Sequence, residues 1–456
     1  MGENTQENKM GVMPVNKLIV SMSVPMMVSN LVQALYNIVD SIFVSRIDEN
    51  ALTAVSLAFP MQLLLAALAI GTGVGINSCL SKYLGEGRRD KASDVAKTGL
   101  LLALCSYVVF LIAGLTLVDP FYRFQTDDPA IIEYGHQYLT WVCCLSFGLF
   151  FQITFERILQ SVGMTFEAMI TQVTGAVINM IFDPIMIFGL LGCPKMGVKG
   201  AAIATVFGQI VAAVMSLIFN IRRNRDINLS FKGFKPKLAV IGTIYKVGLP
   251  SIVMQSIGSV MNYCMNLILI SFTSTAVAVF GVYYKLQSFV FMPVFGLNNG
   301  LIPIVAYNYG AGNRKRVTRT IKLSTIYAII IMTVGLIIFE TIPGPLFKIF
   351  DASDNMLLIG KTALRTIAVH FPVAAVCIVL GSAFQALGNG VYSLITSIAR
   401  QIVVLLPAAY LLASLGSVDY VWWAFPIAEV MSLIATIFFF IRINKKIIKN
   451  IPEGAE

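Results

Sequence analysis

Apolar stretches of 18 residues or more recur about twelve times along this chain, and nothing else in the sequence limits the fold so strongly. A bilayer core of about 30 Å needs about 20 helical residues at 1.5 Å each, with every backbone polar group satisfied inside the segment. The stretches run approximately over 18–44, 51–79, 96–118, 131–155, 165–191, 199–221, 240–270, 276–306, 320–341, 362–386, 390–414 and 420–441. Of 456 residues, 57% are hydrophobic and 12% charged, with a mean hydropathy of +0.80. A soluble domain cannot hide that much apolar surface. The expected fold is an all-α polytopic membrane protein.

The net charge of +10 carries no message about nucleic acid once the basic residues are placed. With the N-terminus inside, the even-numbered connections and both tails collect Arg88, Arg89, Lys91, Arg222, Arg223, Arg225, Arg314, Lys315 and Lys445, among others. That is the positive-inside pattern, and it puts both termini in the cytoplasm. No short apolar core leads into a cleavage site, so no cleavable signal peptide is expected. The seven cysteines lie mainly in or beside apolar runs and read as small buried hydrophobes rather than a disulfide framework. His136 and His370 are far apart in sequence and read as structural or interfacial.

Comparison of the chain with itself at a shift of 225 residues reveals a repeat. Pro25 falls on Pro250, Gln62 on Gln287, Gly71 on Gly296, Gly75 on Gly300, Gly87 on Gly312, Gly163 on Gly388 and Thr171 on Thr396. Two homologous six-helix bundles follow. Each has an even number of spans, so both enter from the same side and a pseudo-two-fold runs along the membrane normal. The expected division is 1–221 for the first lobe, 222–246 for a basic linker and 247–456 for the second lobe. Residues 237–245 suit either an interfacial helix or a flexible tether.

Acids within such helices are costly, about 2.5 to 3.5 kcal/mol for an Asp at the helix centre, and are read as functional by default. Asn179 and Asp183 are spaced i and i+4 and share one helical face. Pro184 has no amide hydrogen and leaves the Met180 carbonyl without its usual partner. Asp40 lies about 33 Å along the first helix from Leu18, and Asp183 at a similar depth along the fifth. Two carboxylates meeting in low dielectric cannot both stay ionised without a cation, so the pair suits a protonation or cation site. The second copy has Met265 and Ala408 at the matching positions. It carries Lys285, Arg400 and Glu429 instead, with Lys285 and Glu429 at depths that allow a neutralising pair, structural or gating in role. Glu156 and Arg157, near a span terminus, read as interfacial. Gly71, Gly73 and Gly75 lack a phosphate-loop lysine and suit close helix contact better. No catalytic constellation stands out, and an enzyme is disfavoured.

These motifs resemble the MATE (multidrug and toxic compound extrusion) family, and its MepA-like bacterial branch, over nearly the whole chain. The resemblance rests on Tyr36-Asn-Ile-Val-Asp40, Ala51-Leu-Thr-Ala-Val-Ser56, Leu159-Gln-Ser-Val-Gly163, Asn179-Met-Ile-Phe-Asp-Pro184, Gly200-Ala-Ala-Ile-Ala-Thr205 and Phe384-Gln-Ala-Leu-Gly388. It implies two six-helix lobes forming a V that alternates between inward-open and outward-open states. It further implies export of cationic, often aromatic compounds in exchange for protons or sodium. The match at Asp40, Asn179, Asp183 and Thr205 implies a coupling site in the first lobe, where a sodium ion could take those four residues as ligands. Tyr36 and Asn37 are included as neighbours in the same motif, and Pro25 and Pro184 as helix-bending residues. Some branches use an acid in the seventh span, where this chain has Gln255.

Antiport is therefore the expected activity, with no cofactor beyond a proton or sodium as coupling ion. The 20 Met and 30 Phe would suit an adaptable apolar cavity. Expected partners are small cationic molecules and the lipid bilayer, with no nucleic acid, and the chain is read as a monomer in a bacterial cytoplasmic membrane. The alternative is a lipid-linked oligosaccharide flippase of the same broad architecture, with Lys285 and Arg400 holding a pyrophosphate.

Overall fold

The computed structural model describes residues 8–47, 49–350 and 352–453. The described residues form helices and connecting turns, with no strand. Among the described residues ten helices are long and apolar enough to cross a membrane, and two bent pairs raise the number to as many as twelve. The fourth span is such a pair, Pro129–Cys144 and Phe147–Ser161 at 42°, and the tenth is Asp354–Ala368 and Phe371–Ala386 at 50°. The sequence predicts one span over each, 131–155 and 362–386. Pro372 accounts for the tenth break, since proline sits readily in the first turn of a new helix.

The repeat is written into the backbone. Gly87 and Gly312 are both left-handed, with φ of 73° and 68°, as are Gly163 and Gly388, with φ of 90° and 77°. Each of the latter donates its amide hydrogen three residues back, to Gln160 and Gln385 respectively, at 3.0 Å. Thr171 and Thr396 each bond back to the carbonyl three residues earlier, Ala168 and Ser393. Even the two span breaks, at residues 145–146 and 369–370, fall nearly one repeat apart.

The chain forms two compact units, Val28–Gly248 and Met1–Met27 with Leu249–Glu456. These bounds differ from the expected lobe division at the 222–246 linker. The first span, Val15–Ser45, begins in one unit and ends in the other, and so does the seventh, Leu238–Ile270. Glycines explain how each half-helix is held. In one unit a Cβ on Gly75 of the second span, Glu49–Gly85, would stand 2.3 Å from the Ile244 carbonyl oxygen. In the other, a Cβ on Gly300 of the eighth span, Ser274–Gly310, would stand 2.5 Å from Ser23 Oγ. Gly296 is held as closely against the Met27 backbone.

Gly75→Ala is therefore expected to lower stability by about 1–3 kcal/mol, because its obstacle is backbone rather than a mobile side chain. Gly242→Ala, with nothing within 4 Å of the added carbon, serves as the control. Thermal unfolding of the two purified variants compares them, and equal midpoints would refute this account of the contact.

The linker is no loose tether. Arg89 pairs with Asp226 at 2.9 Å, Asn228 donates its backbone N–H to Ser93 Oγ at 3.0 Å, and Lys237 pairs with Asp94 at 3.0 Å. Residues 238–245 are the opening turns of the seventh span and not a separate interfacial helix.

Candidate functional site

The unit Val28–Gly248 gathers the acids that the sequence singles out. Asp183 lies in the fifth span, Thr165–Phe188, which continues through Pro184 without interruption. Pro25 likewise sits inside the unbroken first span. Asp183 is fully buried and Asn179 nearly so, and the Asp183 carboxyl adjoins that of Asp40 from the first span. Thr205, from the sixth span Val198–Arg222, accepts a hydrogen bond from Asn179 Nδ2 at 3.1 Å. That bond fixes the amide and leaves its oxygen for other use. The Tyr36 hydroxyl adjoins Thr205 and is in electrostatic reach of both acids.

Four oxygens here have no hydrogen-bond donor among the described residues: both of Asp183, Oδ1 of Asp40 and Oδ1 of Asn179. Buried acceptors without donors are costly, and carboxylates most of all. Two ionised carboxylates cannot donate to each other. A proton held by one of them, or a small hard cation between oxygens, resolves the conflict. Among the described residues no group of three or more His, Cys, Asp or Glu comes together, so this is a two-acid site completed by amide, hydroxyl and phenol.

Two members were not found from the sequence. Gln62 donates to the Tyr138 hydroxyl at 2.6 Å, and buried Tyr138 is in electrostatic reach of Asp40 and Tyr36. Gln62 stood out only through its repeat partner Gln287. Asn37 departs from expectation in the other direction. It is exposed, one residue round the helix from Tyr36, and no hydrogen bond from its side chain into the cluster occurs among the described residues.

Glu156 and Arg157 are not interfacial. Both are buried, Glu156 accepting from Gln152 at 3.0 Å and Thr171 at 3.3 Å, and Arg157 donating to Gln160 at 2.9 Å. Gly73 makes room for Arg157, since a Cβ there would meet Arg157 Cγ at 2.8 Å. A span terminus overlaid by neighbouring helices is interior, whatever its position in sequence.

In the other unit Arg400, not Lys285, neutralises Glu429, at 3.2 Å. Arg400 stands in a π-helical stretch, Ala399–Leu405, whose wider turn shifts the facing of side chains relative to an α-helix. Lys285 is exposed and places its ammonium over the Phe350 ring at 5.9 Å. Gln255 is exposed as well. His370 is buried, close to Glu429, and bonds to the Ile367 carbonyl.

The MatE family model matches residues 25–185 and again 250–411, so the two matched segments begin on the paired prolines of the repeat. The chain belongs to the MatE family. An FAD transporter of Shewanella oneidensis is 25% identical over 92% of this chain and 93% of its own length. A multidrug export protein MepA of Staphylococcus haemolyticus is 25% identical over 92% of each chain. Among solved structures, a multidrug resistance MATE family transporter in an outward-facing conformation superposes with a TM-score of 0.92 at 26% identity, covering 98% of this chain and 100% of that one. A MOP superfamily transporter from Pyrococcus furiosus, described as having a binding pocket of reversed polarity, gives 0.91 at 26% identity with the same coverage. Membership of this transporter family, and the all-helical membrane architecture, agree with the reading of the sequence.

Proposed function

We propose that this protein is a multidrug efflux transporter that exports cationic, often aromatic compounds by antiport with protons or sodium through alternating access. The observation that carries this reading is the Asp40–Asp183 pair beside Asn179, whose four acceptor oxygens lack donors among the described residues. Such a cluster is stable only when occupied, and occupancy is the quantity an ion gradient controls. The coupling ion favours whichever state holds the acids together, and a ligand with equal affinity for both states would shift nothing. Asn179, steadied by Thr205, presents its amide oxygen to the pair, while Tyr36 and Tyr138 supply the nearby hydroxyls. The multidrug export proteins among the relatives support the substrate class. The basic connections support a cytoplasmic-membrane placement with both termini inside, and a monomer suffices for one complete site.

A flippase would need basic residues free to hold a pyrophosphate. Arg400 is engaged by Glu429, and Lys285 lies over an aromatic ring, so that reading is not favoured.

Everted vesicles given a fluorescent aromatic cation on the outside, with proton and sodium gradients imposed separately, test the proposal. One of the gradients is expected to drive transport. Transport driven by neither would overturn antiport.

A further inference from the structure

At the basic end of the unit Val28–Gly248 lies a cavity of about 800 Å³, bounded by the third span (Arg89–Thr116), the Phe147–Ser161 helix, the end of the sixth span and residues 224–231. Its walls are apolar, with Leu100, Leu104, Phe151, Phe155, Leu217 and Ile221 among them. Leu104 is 44% exposed and Ile221 66%, so the chamber opens sideways, where a membrane protein meets acyl chains. Four charges rim it: Arg89, Asp90, Arg225 and Asp226. Arg89 and Asp226 neutralise each other at 2.9 Å. The remaining two, Arg225 and Asp90, are exposed and have no hydrogen-bond or ionic partner among the described residues.

We propose that this cavity binds one phospholipid with a phosphoethanolamine headgroup, its acyl chain in the apolar chamber, its phosphate on Arg225 and its ammonium on Asp90. The inference rests on the membrane placement given above but not on the transported substrate. An apolar chamber beside one open cation and one open acid calls for a ligand with a tail and both charges. A lipid with an anionic headgroup and no amine would set its phosphate near Asp90 with nothing to offer that acid. A trimethylated headgroup brings the positive charge but no N–H to donate.

Native mass spectrometry of the full-length purified chain, titrated with phosphatidylethanolamine, phosphatidylcholine and phosphatidylglycerol of identical chains, reads this directly. One equivalent of phosphatidylethanolamine is expected to bind about five-fold more tightly than phosphatidylglycerol, the effect of one charge contact near the membrane surface, and more tightly than phosphatidylcholine by the N–H hydrogen bond to Asp90. Arg225→Gln is expected to weaken all three by about the same factor. Asp90→Asn should bring phosphatidylethanolamine down to the level of phosphatidylcholine. Equal binding of phosphatidylglycerol and phosphatidylethanolamine, or a preference that survives Asp90→Asn, would overturn the proposal. So would competition by soluble glycerophosphoethanolamine as strong as that of the lipid, which would make this a headgroup site with no acyl chain. Because the readout is binding, failure here leaves the antiport reading standing, and the reverse.

Discussion

Asp183→Asn is expected to abolish gradient-driven dye efflux while leaving the protein folded. Asparagine keeps the shape of the side chain and its place on the helix face shared with Asn179, but it cannot hold an exchangeable proton or a full negative charge. Asp183 is fully buried and neither of its oxygens finds a donor among the described residues. The charge is therefore not retained for local hydrogen bonding, and removing it should not unravel the helix. Each ten-fold ion gradient supplies about 1.4 kcal/mol per ion, and all of that drive would be lost. Dye uptake into energised everted vesicles, with a thermal midpoint on the same preparation, measures both halves of the statement. Undiminished efflux by the variant would remove Asp183 from the coupling site.

Arg400→Met is expected to destabilise the protein by about 3–5 kcal/mol, the cost of stripping the partner from a buried charge. The Glu429 side chain is only 4% exposed, and its Oε1 already lacks a donor. It would be left to take up a proton or draw water into the bundle. The second change Glu429→Leu is expected to recover most of the loss, because an apolar pair of similar volume has no charge left to desolvate. Melting midpoints of the wild type, the single variant and the double variant decide the matter. A single variant that melts with the wild type would show that the pair holds nothing together.

The sequence made the spans, the repeat and the two paired acids legible because each leaves a strong one-dimensional mark. Hydropathy marks a span, a constant offset of 225 marks the repeat, and an acid in an apolar run marks itself. What it could not show is azimuth. Lys285, Arg400 and Glu429 were all candidates for mutual neutralisation, and the π-helical stretch that carries Arg400 leaves no trace in composition. Tyr138 escaped notice because a phenol in a membrane helix is unexceptional until a neighbour such as Gln62 fixes it. The break at Leu145–Ser146 has neither proline nor glycine to announce it. Glu156 and Arg157 were misplaced for a related reason, since distance from a helix end measures depth along one segment and not cover by the next.

The chain passes between its two units at only two places, Met27–Val28 and Gly248–Leu249, each within two residues or so of a proline and each in the middle of an uninterrupted helix. No slack exists at either crossing. Each crossing is carried by continuous helical backbone and not by a loop. The basic segment 222–236 lies wholly within the unit Val28–Gly248, so lengthening it would leave both crossings unchanged. The stretch that reads as a connector in sequence is internal to one unit, and the covalent connections between the units are two stretches of helix.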